Sequence, residues 1–451
     1  MKIFVTLGFA CIFYLLNQIL IVRNDTRASV FSTVSPRTIH IGKSDESTTF
    51  IWSTASLVDN CTVNLGSDDY IVETYFKYAY DFYFYKLIVP NSISEKLDSY
   101  SIECTSNNQK IKKHFSVDLK ESKNKLLLFG DFSTSKIGDS SNYQHTLKYK
   151  PNILKILEKD YKLVDSIWHL GDFAYDLFSN RGTRGLEFLS DIESVASHLP
   201  YIPVAGNHEL RNNFHDFQAF FSSPLFFIRT IGPCKIFAIN SEFDFFYMKP
   251  WMFPYKHAFL TYLKQKQLKW LKKGLKSIDR ETYPFVVVVA HKPLYCSKNQ
   301  LSSMIMAVCE LQASVMRETF EKILVNKKVD LGIFAHIHLY ERTLPVKYQE
   351  TIGEYKQKEF FVNPPAPIYV INGVAGNLES ENIIFSVTDT PDPWTVTIKE
   401  NLGYGVLTVH NKTHIQYEQF GFGESQWDDA FADNYHTKHL DDSFWIVKTN
   451  Q

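Results

Sequence analysis

Net charge is nearly absent: 48 Lys+Arg against 49 Asp+Glu leave −1 over 451 residues. No whole-protein field draws such a chain to DNA, RNA or an anionic bilayer, and no nucleic-acid partner is expected. Cysteine is sparse, with six in the chain. No Ser or Cys sits in a nucleophile motif, so chemistry through a covalent enzyme intermediate is not implied. Internal repeats and long low-complexity tracts are also missing. Apolar and aromatic residues are plentiful instead, at 45% hydrophobic and 15% aromatic, with 36 Phe and 25 Tyr. A sizeable core is available, and the length suggests two or three units.

The N-terminus differs from the rest. Lys2 precedes an apolar run from Ile3 to Leu16, then Asn17-Gln18 and a second run, Ile19 to Val22. Residues 1–22 read as a secretory signal peptide. A signal anchor is the alternative, because the combined run approaches membrane-spanning length; Asn17 and Gln18 favour cleavage, and the cut position stays open. Secretion, or delivery to the lumen of an acidic compartment, is the expected localisation, with no stable membrane association after cleavage. Cys11 would leave with the signal. Cys61 and Cys104 lie in a β-rich region and could bridge two strands; Cys296 and Cys309 flank a polar loop and could form a local staple. Connectivity is not fixed by sequence. Cys234 reads as a buried free thiol. Asn24, Asn60 and Asn411 stand in N-x-Thr sequons, open to glycosylation in a secreted chain.

Residues 35–118 alternate in short strands without convincing helices: 38–41, 49–52, 62–65 and 81–89 are the clearest, at intervals suited to a β-sandwich. The charged stretch 120–125 marks a boundary. From 125 to 422 strands alternate with helical patterns, the mark of an α/β layer fold. Helices are expected over 153–157, 187–196, 260–275 and 316–325, with buried strands at 368–371 and 405–409. The lysines of 260–275 could suggest a phosphate or membrane patch, and a solvated helix face is the better reading. Residues 423–451 are set apart as a C-terminal tail.

Five apolar runs each end in a residue able to bind a metal. Leu126–Phe129 leads to Gly130-Asp131, and Ser166–Leu170 to Gly171-Asp172 with Tyr175 three residues on. Tyr201–Ala205 leads to Gly206-Asn207-His208-Glu209, Phe285–Ala290 to His291, and Leu331–Ala335 to His336-Ile337-His338. Such runs read as buried strands, and in open α/β sheets functional groups gather beyond the strands' carboxyl ends. Hard oxygen donors mixed with imidazoles suit a centre with room for two ions, bridged by a carboxylate. A phenolate such as Tyr175 favours Fe(III); an amide oxygen with two imidazoles suits Zn(II), Fe(II) or Mn(II). His169, His198, His257, His410 and His414 fall outside these positions and read as structural.

Taken together, GD at 130–131, GDFAY at 171–175, GNHE at 206–209, VVVVAH at 286–291 and AHIHLYER at 335–342 resemble the purple acid phosphatases, of the calcineurin-like metallophosphoesterases. The resemblance implies an N-terminal all-β, fibronectin-III-like sandwich followed by an α/β metallophosphoesterase domain, a two-sheet βαβ sandwich flanked by helices, closest to the long animal forms. It implies that Asp131, Tyr175 and His338 hold Fe(3+), that Asp172 bridges, and that Asn207, His291 and His336 hold one divalent ion, Zn(2+), Fe(2+) or Mn(2+). His208 would bind the phosphate or protonate the leaving group. Glu209 and Arg342 would organise the site without touching the metals. Two positions depart from the pattern: Ser133 and Ala335 stand where glycine is usual, and a positive φ at either would be strained. Gln300 and Leu301 lie roughly where plant members carry a histidine pair.

The activity so implied is acid phosphatase, the direct hydrolysis of a small phosphate monoester or phosphoprotein by hydroxide from a binuclear metal centre. The alternatives are a related phosphodiesterase or nucleotidase, a catalytically weak secreted binding protein, or an iron redox centre. The oligomeric state is open.

Overall fold

The computed structural model describes residues 35–72, 74–78, 82–107, 109–120, 122–133, 153–244, 253–297, 303–376, 392–422 and 438–449. The proposed signal segment, Asn24, Gln300 and Leu301 lie outside them.

Alternation of apolar and polar residues shapes the first eight strands into two antiparallel four-stranded sheets. One runs Arg37–Lys43, Ser47–Thr54, Phe82–Pro90, Thr74–Tyr78; the other runs Asp68–Val72, Asn60–Leu65, Ser99–Ser106, Gln109–Ser116. Ile39, Ile41, Phe50, Trp52, Val63 and Ile102 form their shared core. Cys61 and Cys104 face each other across neighbouring strands and are disulfide-bonded.

The following region holds two seven-stranded sheets. The first is ordered Tyr201–Pro203, Ser166–His169, Lys125–Phe129, Leu402–Val409, His414–Phe422, Lys438–Val447, Phe360–Val362. The second is ordered Phe227–Ile231, Cys234–Ala238, Phe285–Val289, Leu331–Phe334, Ile368–Asn372, Tyr340–Thr343, Thr395–Lys399. Continuous apolar strands suit this arrangement because successive side chains serve opposite faces. Val287 and Val289 enter the cluster that also holds Leu128, Trp168 and Ile202 of the other sheet. Val286 and Val288 turn outward onto Leu271, Met316 and Phe320 of the covering helices. The long helix Pro254–Lys276 lies on this outer face, burying Leu260, Gln267, Leu271 and Leu275.

The stretch beyond 422, set apart above as a tail, is partly core structure. Lys438–Val447 pairs with His414–Phe422 along its length, and Phe444 and Ile446 are buried. The helix expected over 316–325 starts earlier, at Ser303, and passes through a π turn at Arg317–Glu321 before ending at Asn326.

The N-terminal sheets are clamped to the larger region by buried contacts. Tyr100 donates to the Ser197 carbonyl (2.9 Å), Phe84 meets Phe220 edge-on at 5.3 Å, and His40 packs against Phe221 at 5.6 Å. His40 is 1% exposed. Burial pushes its imidazole down to about 4, whereas an unfolded histidine titrates near 6.5. Between those values the unfolded chain binds the extra proton, so stability falls as pH drops through that window, by about 3 kcal/mol in full. Thermal melting from pH 7 to 4 should show this acid loss in the native protein and a shallower slope in His40→Gln; parallel slopes would refute the assignment.

Candidate metal centre

The motif residues that follow the five strands arrive at one place because those strands are neighbours. Lys125–Phe129, Ser166–His169 and Tyr201–Pro203 run parallel side by side in the first sheet, and Phe285–Val289 and Leu331–Phe334 do so in the second. Asp131, Asp172 and Asn207 leave the first sheet, and His291, His336 and His338 leave the second, at the same edge of the sandwich.

The backbone turns sharply there. Asp131, Asp172, Tyr175 and His336 all have left-handed φ, between 49 and 69°. Non-glycine residues hold such angles only where the surroundings over-determine them. Glu209 provides much of that constraint: its buried carboxylate accepts the N–H groups of Asp172 (2.9 Å), Phe173 (3.0 Å) and Gly206 (2.8 Å). Gly206 is required beside it, since a Cβ there would strike the Asp172 carboxylate. Ser133 and Ala335 do not have positive φ, so neither carries the strain considered from the sequence. Instead Ala335 fills the space that a Cβ on Gly130 would need.

Seven side chains form two connected groups. In the first, Tyr175 Oη lies 2.9 Å from His338 Nε2 and 3.3 Å from Asp131 Oδ1, and these last two are 3.4 Å apart. In the second, His291 Nε2 faces Asp172 Oδ2 at 3.1 Å, Asn207 Oδ1 at 3.1 Å and His336 Nδ1 at 3.2 Å. Ligand atoms of Asp172, His291 and His336 all lie within 4.8 Å of one another.

Proton accounting makes this a cation site. His291 Nδ1 donates to the Leu170 carbonyl at 2.7 Å, which in a neutral ring leaves Nε2 as a lone pair. That atom then meets a carboxylate, an amide oxygen (which also accepts from Lys292 Nζ at 3.3 Å) and a second imidazole, with no hydrogen between Nε2 and any of the three. Protonating His291 supplies one hydrogen for three acceptors. Burial opposes its charge, yet Asp172 and then Asp131 raise it to about 9. Burial likewise opposes ionisation of Asp172, but His291 and His208 hold it well below the usual carboxylate range. A metal ion satisfies all four lone pairs at once, and the donor types fit one.

Several contacts lie outside the motifs. Gln312 accepts a hydrogen bond from His336 Nε2 at 2.5 Å, turning Nδ1 toward the other ligands. Burial, then the Lys292 ammonium, push His336 down and keep it neutral. Gln312 sits three residues after Cys309, which is disulfide-bonded to Cys296. Lys292, 1% exposed, pairs with buried Glu242 and lies 3.3 Å from Asn207 Oδ1. Asp176, directly after Tyr175, holds His208 Nδ1 at 2.9 Å. The His208 ring lies 4.7 Å from that of Tyr175, with Nε2 3.8 Å from Asp172 Oδ2. Arg342 forks onto Asp442 (2.5 and 2.8 Å), which also accepts from Tyr340 (2.6 Å), so the strand beyond 437 braces the last motif. Of the residues outside the motifs, only Asp176 and Lys292, each adjacent to a motif, carried a sequence signal. Asn60 and Asn411 are exposed, and Cys234 is a buried free thiol.

Loss of the bond at His336 Nε2 should free that ring to turn. Gln312→Leu is expected to weaken zinc binding about tenfold, in line with other contacts that orient metal-bound histidines. Titration of metal-stripped protein with zinc checks this; unchanged affinity would mean the bond is incidental.

Residues 114–340 match the family model of the calcineurin-like phosphoesterases, and residues 366–430 match that of iron/zinc purple acid phosphatase-like protein C. Acid phosphatase type 7 of Danio rerio is 31% identical over 290 residues, 60% of this chain and 61% of that protein. Acid phosphatase type 7 of Homo sapiens is 30% identical over 295 residues, 63% of this chain and 61% of that protein. The alignments thus span about three fifths of these relatives' length. A purple acid phosphatase from yellow lupin seeds has the same fold, with TM-score 0.69 at 18% identity over 92% of this chain and 75% of that one. The chain belongs to the calcineurin-like phosphoesterase family, and within it resembles the purple acid phosphatases.

Proposed function

We propose that this protein is an acid phosphatase that hydrolyses phosphate monoesters at a two-metal centre. The observation that carries the reading is the group of lone pairs around His291 Nε2, beside a second group that includes a phenol and is tied to it by the His336 N–H donating to Asp131 Oδ2 at 2.8 Å. We assign Asp131, Tyr175 and His338 to a ferric ion, Asn207, His291 and His336 to a divalent ion, and Asp172 to both. The metal pair, when bound, supplies Lewis-acid charge for the phosphate oxygens and an activated water for attack. Everything else is done by the chain. Asp172 faces His291 Nε2, and Glu209 fixes the turn that places it. Gln312 and Leu170 orient the His336 and His291 rings. Asp176 accepts from His208 Nδ1, which aims Nε2 toward Asp172 Oδ2, 3.8 Å away. A protonated Nε2 there can donate to the phosphate or to the departing alcohol. That role requires the imidazolium and favours acidic conditions.

The N-terminal sheets are read as a fibronectin-type sandwich, residues 1–22 as a cleaved signal, and Asn24, Asn60 and Asn411 as glycosylation sites of a secreted or acid-compartment protein. The substrate class is a small monoester or a phosphoprotein.

Hydrolysis of p-nitrophenyl phosphate from acidic to neutral pH tests the reading. Native protein should be more active in acid, and Asp172→Asn should lose turnover together with the paired metals; an active Asp172→Asn would sink the bridging role. His208→Ala should lower turnover by about 100-fold or more while leaving metal content intact. If His208→Ala instead retained hydrolysis, the proton donor would have to be sought elsewhere.

A further inference from the structure

The helix Pro254–Lys276 has an outer face that neither the fold nor the metal centre uses. Its 23 residues include seven lysines and no Asp or Glu, in a chain whose charges otherwise balance. The buried positions, Leu260, Gln267, Leu271 and Leu275, share one side. On the opposite side, at alternating steps of four and three, stand Tyr255, Phe259 and Tyr262, followed by Lys266, Lys269 and Lys273. That spacing makes a single stripe along a helix, about 30 Å long when followed to the last turn. Tyr255 is 90% exposed, Tyr262 61% and Phe259 39%, and all three stripe lysines are exposed.

A solvated lysine face, the reading from sequence, explains the basic half of the stripe and leaves the aromatic half without a reason. Repelling like charges at these spacings also work against the helix. Both halves are rewarded by one kind of surface. Amphipathic rings settle at the headgroup level of a bilayer, and lysines on the same face meet anionic headgroups. A soluble polyanion would reward the lysines alone. We infer that this stripe docks the protein peripherally on an anionic lipid surface, rings at the N-terminal end and ammonium groups along the rest. The contact is local and salt-sensitive, which is compatible with a net charge of −1 for the whole chain. It is independent of the phosphatase reading.

Cosedimentation of the full chain with vesicles tests this. Binding is expected to vesicles of phosphatidylcholine and phosphatidylserine in equal parts, not to phosphatidylcholine alone, and should be reversed by high salt. Neutralising two lysines in Lys269→Gln/Lys273→Gln should weaken it roughly thirtyfold. Tyr255→Ser/Tyr262→Ser should weaken it too, at unchanged charge, with circular dichroism confirming that both variants stay folded. No binding, equal binding to the two vesicle types, or binding indifferent to the tyrosines would overturn the inference. If heparin bound equally well to native protein and the tyrosine variant, while vesicles did not bind, the stripe would be a polyanion site instead.

Discussion

Too few protons for too many acceptors is the constraint around which this structure is arranged. His291 Nε2 faces three acceptor atoms within 3.2 Å, deep in the protein. Lone pairs buried together without hydrogens repel, and nothing in ordinary packing justifies bringing them there. A cation resolves it. The features nearby serve to hold those atoms until the cation arrives: left-handed turns at Asp131, Asp172 and His336, the Glu209 carboxylate that spans three N–H groups, and the exclusion of side chains at Gly206.

Holding such a cluster needs rigidity from both sides, and the two-sheet sandwich provides it. Four donors hang from one sheet and three from the other, so the site closes only if the sheets pack in register. The interleaving of Leu128, Trp168 and Ile202 with Val287, Ile333 and Val370 sets that register. Behind the donors a further layer acts on single atoms: Leu170 on His291, Gln312 on His336, Asp176 on His208. The strand Lys438–Val447 extends this bracing to the far end of the chain through Asp442 and Arg342.

The outward surface follows a different logic. Balanced charge over the whole chain conceals one helix whose charged side chains are all positive. Composition averages over such a feature, whereas a helical period restores it, because residues three and four apart share a face. The donor cluster and the helix stripe are separate features of one fold, the first built by burial and the second by exposure.

Sequence alone determined the positions of the strand ends and the donor types that follow them, since buried strands are apolar and Asp, Asn, His and Tyr stand out where they end. Thus GD, GDFAY, GNHE and AHIHLYER could be read before any coordinates. It did not reveal Gln312, whose neighbours follow no motif, or the Lys292–Glu242 pair, whose members are far apart in the chain. It also misplaced Lys438–Val447, because a half-buried strand rich in polar residues resembles a tail until its partners are known. Which strands lie side by side, which lone pairs meet without a proton, and which side chain turns an imidazole were decided only in three dimensions. Those are relations between distant segments, and local pattern holds no record of distance.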